Sequence, residues 1–445
     1  MNYKQLIGST VIDQGLKYID KDPLNNIPKL LAFMRKFAAF DHHKKALKSF
    51  ERSFKDPTSN WFQLTKKVLD NYDFEIIKKF ISNFILNSVI LGKKVNEDLS
   101  KTHDCNIPWA ILMDPTAACN LKCEGCWAGD YHKSTLGYDT MNRIITEGKE
   151  LGIYMYIFSG GEPMLKNNEI IDLAKKHNDC AFLSFTNGTL INKELASKLR
   201  EVGNIALAIS IDGFEAISDK RRGLGTYGQI RKAMEILKSY SVPFGFSTTY
   251  HAYNTDIVAS EDYINEMIDS GCLFGWYFTY MPIGKNETSN MLASPKQRAT
   301  MYKQINRFRK EKPIFLIDFW NDGEFSGGCI AGGRNYIHIN ANGDVEPCAF
   351  IHYANVNIKD TTLLEALKSP LFKEYKDKQP FDENPLRPCP LLDKPEMLEE
   401  MVYNSNAYST HLFEEESVEH LTSKCKNTAN EWAKMADKLW NKKHN

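Results

Sequence analysis

Between Trp109 and Gly284 the chain repeats one pattern six times: a short run rich in apolar, β-branched and aromatic residues, then a longer polar–apolar stretch. The runs cover 110–114, 154–158, 181–185, 206–211, 244–249 and 275–280. Helix-like spacing fills 141–151, 169–177, 193–202 and 230–240 between them. Parallel strands need crossovers of this length, and six β/α repeats imply an α/β parallel sheet, flat or curled into a partial barrel.

In parallel β/α folds chemistry gathers at the carboxyl ends of the strands, so the following loops carry the functional information. The first strand is followed by CNLKCEGCW, which places Cys119, Cys123 and Cys126 in eight positions. The next loops hold Ser159-Gly160-Gly161-Glu162-Pro163, then Thr186-Asn187-Gly188. The fourth strand leads to Ser210, Asp212 and Gly213, with Arg221 and Arg222 beyond, the fifth to Thr248-Thr249-Tyr250-His251, and the sixth to Tyr280 through Gly284. Singly these segments are explicable as turns: Gly-Gly-Glu-Pro as a helix start with Pro near its first position, Thr-Asn-Gly as a loop. Three thiols are one short of a closed four-ligand site. A zinc set completed by His132 satisfies the spacing but leaves the other loops unexplained.

Together the loops resemble the radical S-adenosylmethionine (radical SAM) superfamily over about 109–284, with the cysteine triplet as the most specific motif. The resemblance implies a partial (β/α)6 barrel in which Cys119, Cys123 and Cys126 hold a [4Fe-4S] cluster, and SAM ligates the remaining iron through its amino group and carboxylate. It implies reductive cleavage of SAM to a 5′-deoxyadenosyl radical that abstracts hydrogen from a substrate. Residue by residue, Gly160, Gly161 and Glu162 match the motif that holds the SAM amino group. Ser210 and Asp212 fall where the ribose and methionine parts are met, and Arg222 where the carboxylate is met. Thr186 and Asn187, and separately Met281 to Gly284, fall at expected ribose and adenine contacts. The family usually has an aromatic residue just before the third cysteine; here that residue is Gly125 and Trp127 follows. Trp127 either stacks on the adenine or belongs to the core. This loop form is similar to that of lipid-modifying members such as the hopanoid adenosylating enzymes.

A second set of cysteines lies downstream. Cys329 and Cys348 have the spacing C-x13-G-x4-C, with a strand-like alternation over 336–340 and a hairpin turn at Asn342-Gly343 that brings the two thiols together. This resembles the opening half of the SPASM auxiliary-cluster domain, without its full seven cysteines. The resemblance implies one auxiliary [4Fe-4S] cluster on Cys329, Cys348 and Cys389, with Cys425 or an open position as the fourth ligand. Cys105, Cys180 and Cys272 lack such context and read as buried thiols.

Four regions are expected in the 445 residues: an N-terminal helical region (1–104), the radical SAM core (105–310), a small auxiliary-cluster domain (311–394) and a helical tail (395–445). Ile76, Ile77, Phe80, Ile81, Phe84 and Ile85 make a broad apolar helix face, expected to pack on the rest of the protein, with a membrane surface or greasy substrate as the alternative. The uncharged stretch 80–92 is too short to span a bilayer, which leaves only peripheral membrane contact. Lys plus Arg balance Asp plus Glu at 56 each, so no global field draws nucleic acid. The first residues lack a signal-peptide pattern, so a cytoplasmic location is expected.

The expected activity is that of an oxygen-sensitive oxidoreductase or transferase fed by a low-potential flavodoxin or ferredoxin. The SPASM resemblance points to a peptide or protein side chain as substrate, and the apolar helix and CEGCW loop to radical modification or C–C coupling of a lipid chain. An alternative of another class is a noncatalytic iron–sulfur electron-transfer protein.

Overall fold

The structure is a computed structural model that describes residues 14–444 apart from 16, 20, 38–40, 129–133, 285–286 and 412–415. His132 and the first residues read for a signal lie outside these. Among the described residues one sheet of nine strands has the order β7-β6-β5-β4-β3-β2-β1-β8-β9. The six expected strands are β1 (Ala110–Met113), β2 (Met155–Phe158), β3 (Ala181–Thr186), β4 (Ile205–Ser210), β5 (Phe244–Tyr250) and β6 (Phe274–Thr279), all parallel. A seventh, β7 (Phe315–Asp318), extends them beyond β6. The downstream hairpin, β8 (Tyr336–Ile339) and β9 (Val345–Glu346), joins the same sheet, because β8 pairs in parallel with β1.

The strands are buried on both faces, and the two faces separate by period two. Ile111, Met113, Tyr156 and Phe158 join the core under the outer helices. Leu112, Ile157, Leu183, Trp276 and Phe278 point the other way, into the bore of a curled sheet. Curling brings the end of β7 against the hairpin edge: Phe319 lies 5.8 Å from the Tyr336 ring and Trp320 lies 5.0 Å from Phe350. Aromatic contacts, not backbone pairing, close that gap.

The N-terminal region is helical as expected: α1 (Pro23–Phe37), α2 (Asp41–Ser53), α3 (Asn60–Asn71), α4 (Phe74–Phe80), a π-helix (Ile81–Gly92) and α5 (Lys93–His103). Its side chains reach carbonyls just ahead of successive strands. Asn96 Nδ2 donates to Leu151 O before β2 (2.6 Å), Asn83 Nδ2 to Asn178 O and Cys180 O before β3 (both 2.9 Å), and Lys67 Nζ to Cys272 O before β6 (3.2 Å). The region therefore covers the amino ends of the strands, opposite the loops that carry the motifs.

The apolar stripe of the helix from Phe74 to Gly92 faces the barrel as expected, with Ile76 buried and Ile77, Ile81, Phe84 and Ile85 lining the bore, and only Phe80 of that stripe is exposed, at 55%. Beside it the polar residues Asn83, Asn87 and Ser88 are also buried, while Val89 and Ile90 are 43% and 49% exposed. The strand-end carbonyls need donors, which asparagine has and isoleucine lacks. No helix among the described residues is long and apolar enough to cross a membrane.

Replacing Asn83 with Leu removes both of its amide hydrogen bonds and should destabilise the protein by about 1–3 kcal/mol. Thermal unfolding reads the loss, and amide hydrogen exchange over 178–180 should accelerate.

Candidate active site

The loop after β2 is fastened to the loop after β1 by backbone. Gly161 N–H donates to Thr116 O (3.0 Å) and Glu162 N–H to Ala118 O (2.8 Å). A Cβ on Gly161 would lie 2.1 Å from Ala118 O, so only glycine permits this approach. Glu162 is thereby held under the cysteine loop, 1% exposed. Its Oε1 accepts from Thr186 Oγ1 (2.6 Å) and Met164 N (2.9 Å), and its Oε2 from Asn187 N (2.7 Å). Burial pushes its carboxyl upward despite these donors, so a cation placed beside it would favour the charged form again. Asn187 also reaches the cysteine loop, donating to Asn120 Oδ1 (2.8 Å).

Across the bore, Asp212 is fully buried and bound by two guanidinium groups. Arg221 Nη1 and Arg222 Nε each stand 2.7 Å from its Oδ2, and Thr249 N–H donates to its Oδ1 (3.0 Å). Burial would raise this carboxyl, but the two arginines outweigh it and hold it well below the usual carboxylate range. Arg221 Nε also donates to Glu124 O (3.2 Å). This argues for Arg221 as a positioning residue that ties the cysteine loop to the fourth strand's loop, a role the sequence reading left unassigned. Ser210, at the end of β4, lines the same cavity.

Cys119, Cys123 and Cys126 are all free and line that cavity. Burial raises the Cys119 thiol to about 12. Burial also raises Cys123, with Arg222 and Arg221 pulling it back toward thiolate. The Leu121 N–H points at Cys119 Sγ (3.4 Å). Three thiols beside fixed positive charge, one of them receiving an amide N–H, suit a thiolate-ligated iron–sulfur cluster. Among the described residues no group of three or more His, Cys, Asp or Glu side chains converges where a single metal ion would sit.

The missing aromatic before the third cysteine has a spatial counterpart. Gly125 has φ +60°, and a Cβ there would lie 2.6 Å from Cε2 of Tyr280. The Tyr280 ring, fixed by Thr288 N–H donating to its hydroxyl (2.9 Å), fills the space a residue-125 side chain would need. Gly284, in the same loop, abuts Cys126, since its Cβ would lie 2.4 Å from Cys126 O; buried Met281 also lines the cavity. Trp127 lines the cavity and packs on Phe350 (5.6 Å) and His338 (5.8 Å).

The second cysteine set also assembles. Gly332 N–H donates to Pro347 O (2.9 Å), laying the Cys329 loop beside the strand that ends at Cys348. The Tyr336 hydroxyl donates to Cys348 Sγ (2.7 Å), and Leu392 N–H points at Cys389 Sγ (3.4 Å). Burial pushes all four thiols up, Cys389 to about 11 and Cys329 to about 12, and neighbouring cysteines add to the rise for Cys329, Cys348 and Cys425. Cys425 reaches the group from the long helix Val418–His444. Cys329, Cys348 and Cys389 are thus near one another and Cys425 is near Cys389, with an amide and a phenol aimed at two of the sulfurs.

His338 joins the two halves. Its Nε2 lies 3.0 Å from Asp114 Oδ2, at the end of β1, and its Nδ1 lies 2.6 Å from Glu346 Oε2, two residues before Cys348. Burial would lower this imidazole, but Asp114 and Glu346 together hold it up at about 10. No motif marked it beforehand.

Residues 113–261 match the model of the radical SAM superfamily, and residues 329–390 that of an iron–sulfur cluster-binding domain, SPASM. An AdoMet-dependent heme synthase of Methanosarcina barkeri is 25% identical over 303 residues, which is 61% of this chain and 86% of that protein. The mycofactocin maturase MftC of Mycobacterium ulcerans is 25% identical over 62% of this chain and 79% of its own. Among solved structures, Streptococcus suis SuiB superposes with a TM-score of 0.54 at 15% identity, over 64% of this chain and 71% of that one.

Gly161→Ala forces a methyl group into two carbonyl oxygens and should cost about 1–3 kcal/mol, read by thermal unfolding. His338 is protonated in the folded protein, so its stabilisation is full below about pH 6.5 and disappears as pH rises through about 10. Unfolding free energy should therefore fall across that window by up to about 1.4 kcal/mol per pH unit, and His338→Leu should abolish that part of the slope.

Proposed function

On the premise that the chain is built on a radical SAM domain, which binds a [4Fe-4S] cluster and SAM, and on a SPASM domain, which binds further iron–sulfur clusters, we propose an enzyme that abstracts hydrogen from a long apolar chain. The observation that carries this reading is a single cavity of about 1080 Å³. It joins Cys119, Glu162 and Arg222 at the upper rim to Leu183, Trp276 and Phe80 below. Its walls are overwhelmingly apolar, so a flexible hydrocarbon gains by entering and a polar chain would leave its amides without partners.

In this reading Cys119, Cys123 and Cys126 hold the SAM-binding cluster, and Cys329, Cys348, Cys389 and Cys425 hold an auxiliary one. When bound, cluster and SAM supply one-electron cleavage of a sulfonium, and with it a radical able to take hydrogen from an unactivated carbon. The protein's own part is placement. Glu162, oriented by Thr186, Asn187 and Met164, receives the SAM ammonium. Arg222 offers its remaining N–H groups to the SAM carboxylate while Asp212 steadies it. Thr186, Asn187 and Ser210 border the nucleoside, and Tyr280 with Trp127 walls the adenine side. Phe185, Trp276, Phe278 and Phe319 exclude water and hold the chain beside the rim. Electrons would come from a flavodoxin or ferredoxin in the cytoplasm.

A peptide side chain is the second reading, favoured by the SPASM match and by relatives named as maturases, including a cysteine-type anaerobic sulfatase-maturating enzyme of Clostridium perfringens, 30% identical over 31% of this chain and 43% of its own. Anaerobically reconstituted protein should hold about eight irons, falling to about four in a Cys119/Cys123/Cys126→Ala variant. Glu162→Ala and Arg222→Ala should keep their iron but lose about tenfold to a hundredfold in 5′-deoxyadenosine formation. Detergent-dispersed long-chain lipids should stimulate that formation, and a deuterated lipid chain should pass deuterium into the 5′-deoxyadenosine. Stimulation by peptides alone would transfer the assignment to the second reading, and no 5′-deoxyadenosine under any condition would remove both.

A further inference from the structure

The end of the cavity away from the cysteines is built unlike an ordinary protein surface. Along Phe74–Gly92 the polar residues Asn83, Asn87 and Ser88 are turned inward, and Phe80, Val89 and Ile90 outward. Ile76, Ile77, Ile81, Phe84 and Ile85 line the bore as well, so the helix is apolar both inward and outward, which a helix with one face in water would not be. Phe80 is 55% exposed and also lines the cavity, so it stands at an opening. From it an aromatic file leads inward: Phe80 stacks on Phe84 (5.2 Å), and Phe84 meets Trp109 (5.8 Å) at the foot of β1. A second file stands at the other edge of the open barrel, where Phe50 packs on Trp61 (5.1 Å) and Trp61 on Phe315 (6.3 Å), which is 47% exposed at the foot of β7.

Charge is distributed to match. Residues 1–104 carry 18 Lys and Arg against 12 Asp and Glu, a net of +6, so the remainder of this neutral chain carries −6. Lys78, Lys79, Lys93 and Lys94 bracket the uncharged stretch 80–92, with Asp73, Glu75, Glu97 and Asp98 beyond them, so the positive excess belongs to the helical region as a whole, and Lys79 is turned to the Val202 carbonyl. Apolar and aromatic side chains facing outward between pairs of lysines are what an interfacial element presents to acyl chains and anionic headgroups. A soluble partner would not require the positive bias, and the same opening leads straight into the apolar bore.

We propose that the helical end of the protein docks peripherally on an anionic membrane surface, with Val89 and Ile90 entering the acyl boundary and Lys93 and Lys94 meeting headgroup phosphates. An apolar chain then passes from the bilayer between the aromatic files into the barrel, reaching the rim from below while SAM occupies the loops above. The route rests on the lipid-chain reading; the docking itself does not require catalysis and is tested without it.

The full chain, reconstituted with iron and sulfide, is floated with vesicles of mixed phosphatidylcholine and phosphatidylglycerol, and with phosphatidylcholine alone. Binding to the anionic vesicles is expected, weakened by salt. Each lysine near such a surface is worth about a fivefold change in partitioning, so Lys93→Glu with Lys94→Glu should reduce binding more than tenfold, and Val89→Asp with Ile90→Asp comparably. Neither pair lines the cavity, and unchanged iron content and melting temperature verify that the variants fold. Failure of the parent to float with anionic vesicles, or flotation of both variants like the parent, overturns the proposal. If detergent-dispersed lipid stimulates 5′-deoxyadenosine formation while flotation fails, docking alone is wrong. If flotation succeeds and no lipid stimulates, the docking stands and the substrate reading falls.

Discussion

A parallel sheet must be covered on both faces, and the rest of this structure follows from how the two coverings differ. The outer face is sealed by the crossover helices over Ile111, Tyr156 and Phe158. The inner face cannot be sealed by the sheet itself, because the curl leaves a gap between β7 and the β8–β9 hairpin and a bore too wide for its own side chains. Large apolar residues such as Trp276 and Phe278 therefore stand around a space whose natural filling is another apolar molecule.

Polarity runs along the axis of that space. At the carboxyl ends of the strands the buried charges are paired, as in Asp212 with Arg221 and Arg222, and in His338 between Asp114 and Glu346. Pairing is what makes such burial tolerable, and here it also fixes geometry. Asp114 precedes the first cysteine set and Glu346 the last turn before Cys348, so one imidazole holds both sets to a common frame. At the amino ends Asn83, Asn96 and Lys67 satisfy strand-end carbonyls, and the bore beside them is lined mainly by apolar and aromatic side chains.

Much of this was legible in advance. The six strands announced themselves by period and length, and the motif loops fell where parallel topology puts chemistry. The Asn342-Gly343 turn foretold the hairpin. Other features were not legible, for physical reasons. β7 is a four-residue strand whose pairing partner, β6, lies some forty residues earlier, so no local pattern marks it. The helix over 74–92 turns its apolar stripe inward as expected, but its buried asparagines were not foreseen, because asparagine is inward or outward according to whether a carbonyl awaits it, and that carbonyl belongs to a distant loop. Gly125 looked like the loss of an aromatic until Tyr280, far along the chain, was found in its space.

By itself, then, the sequence determined the alternation of strand and helix, the thiol sets and the glycines that let two loops touch, because these depend on local period, residue chemistry and backbone freedom. Only the tertiary structure decided which face of a helix meets the protein, which ring stands beside the third cysteine, and that one continuous apolar bore connects the rim to the helical end. Those outcomes depend on which distant carbonyls, rings and charges become neighbours when the sheet curls, and no local spacing encodes that.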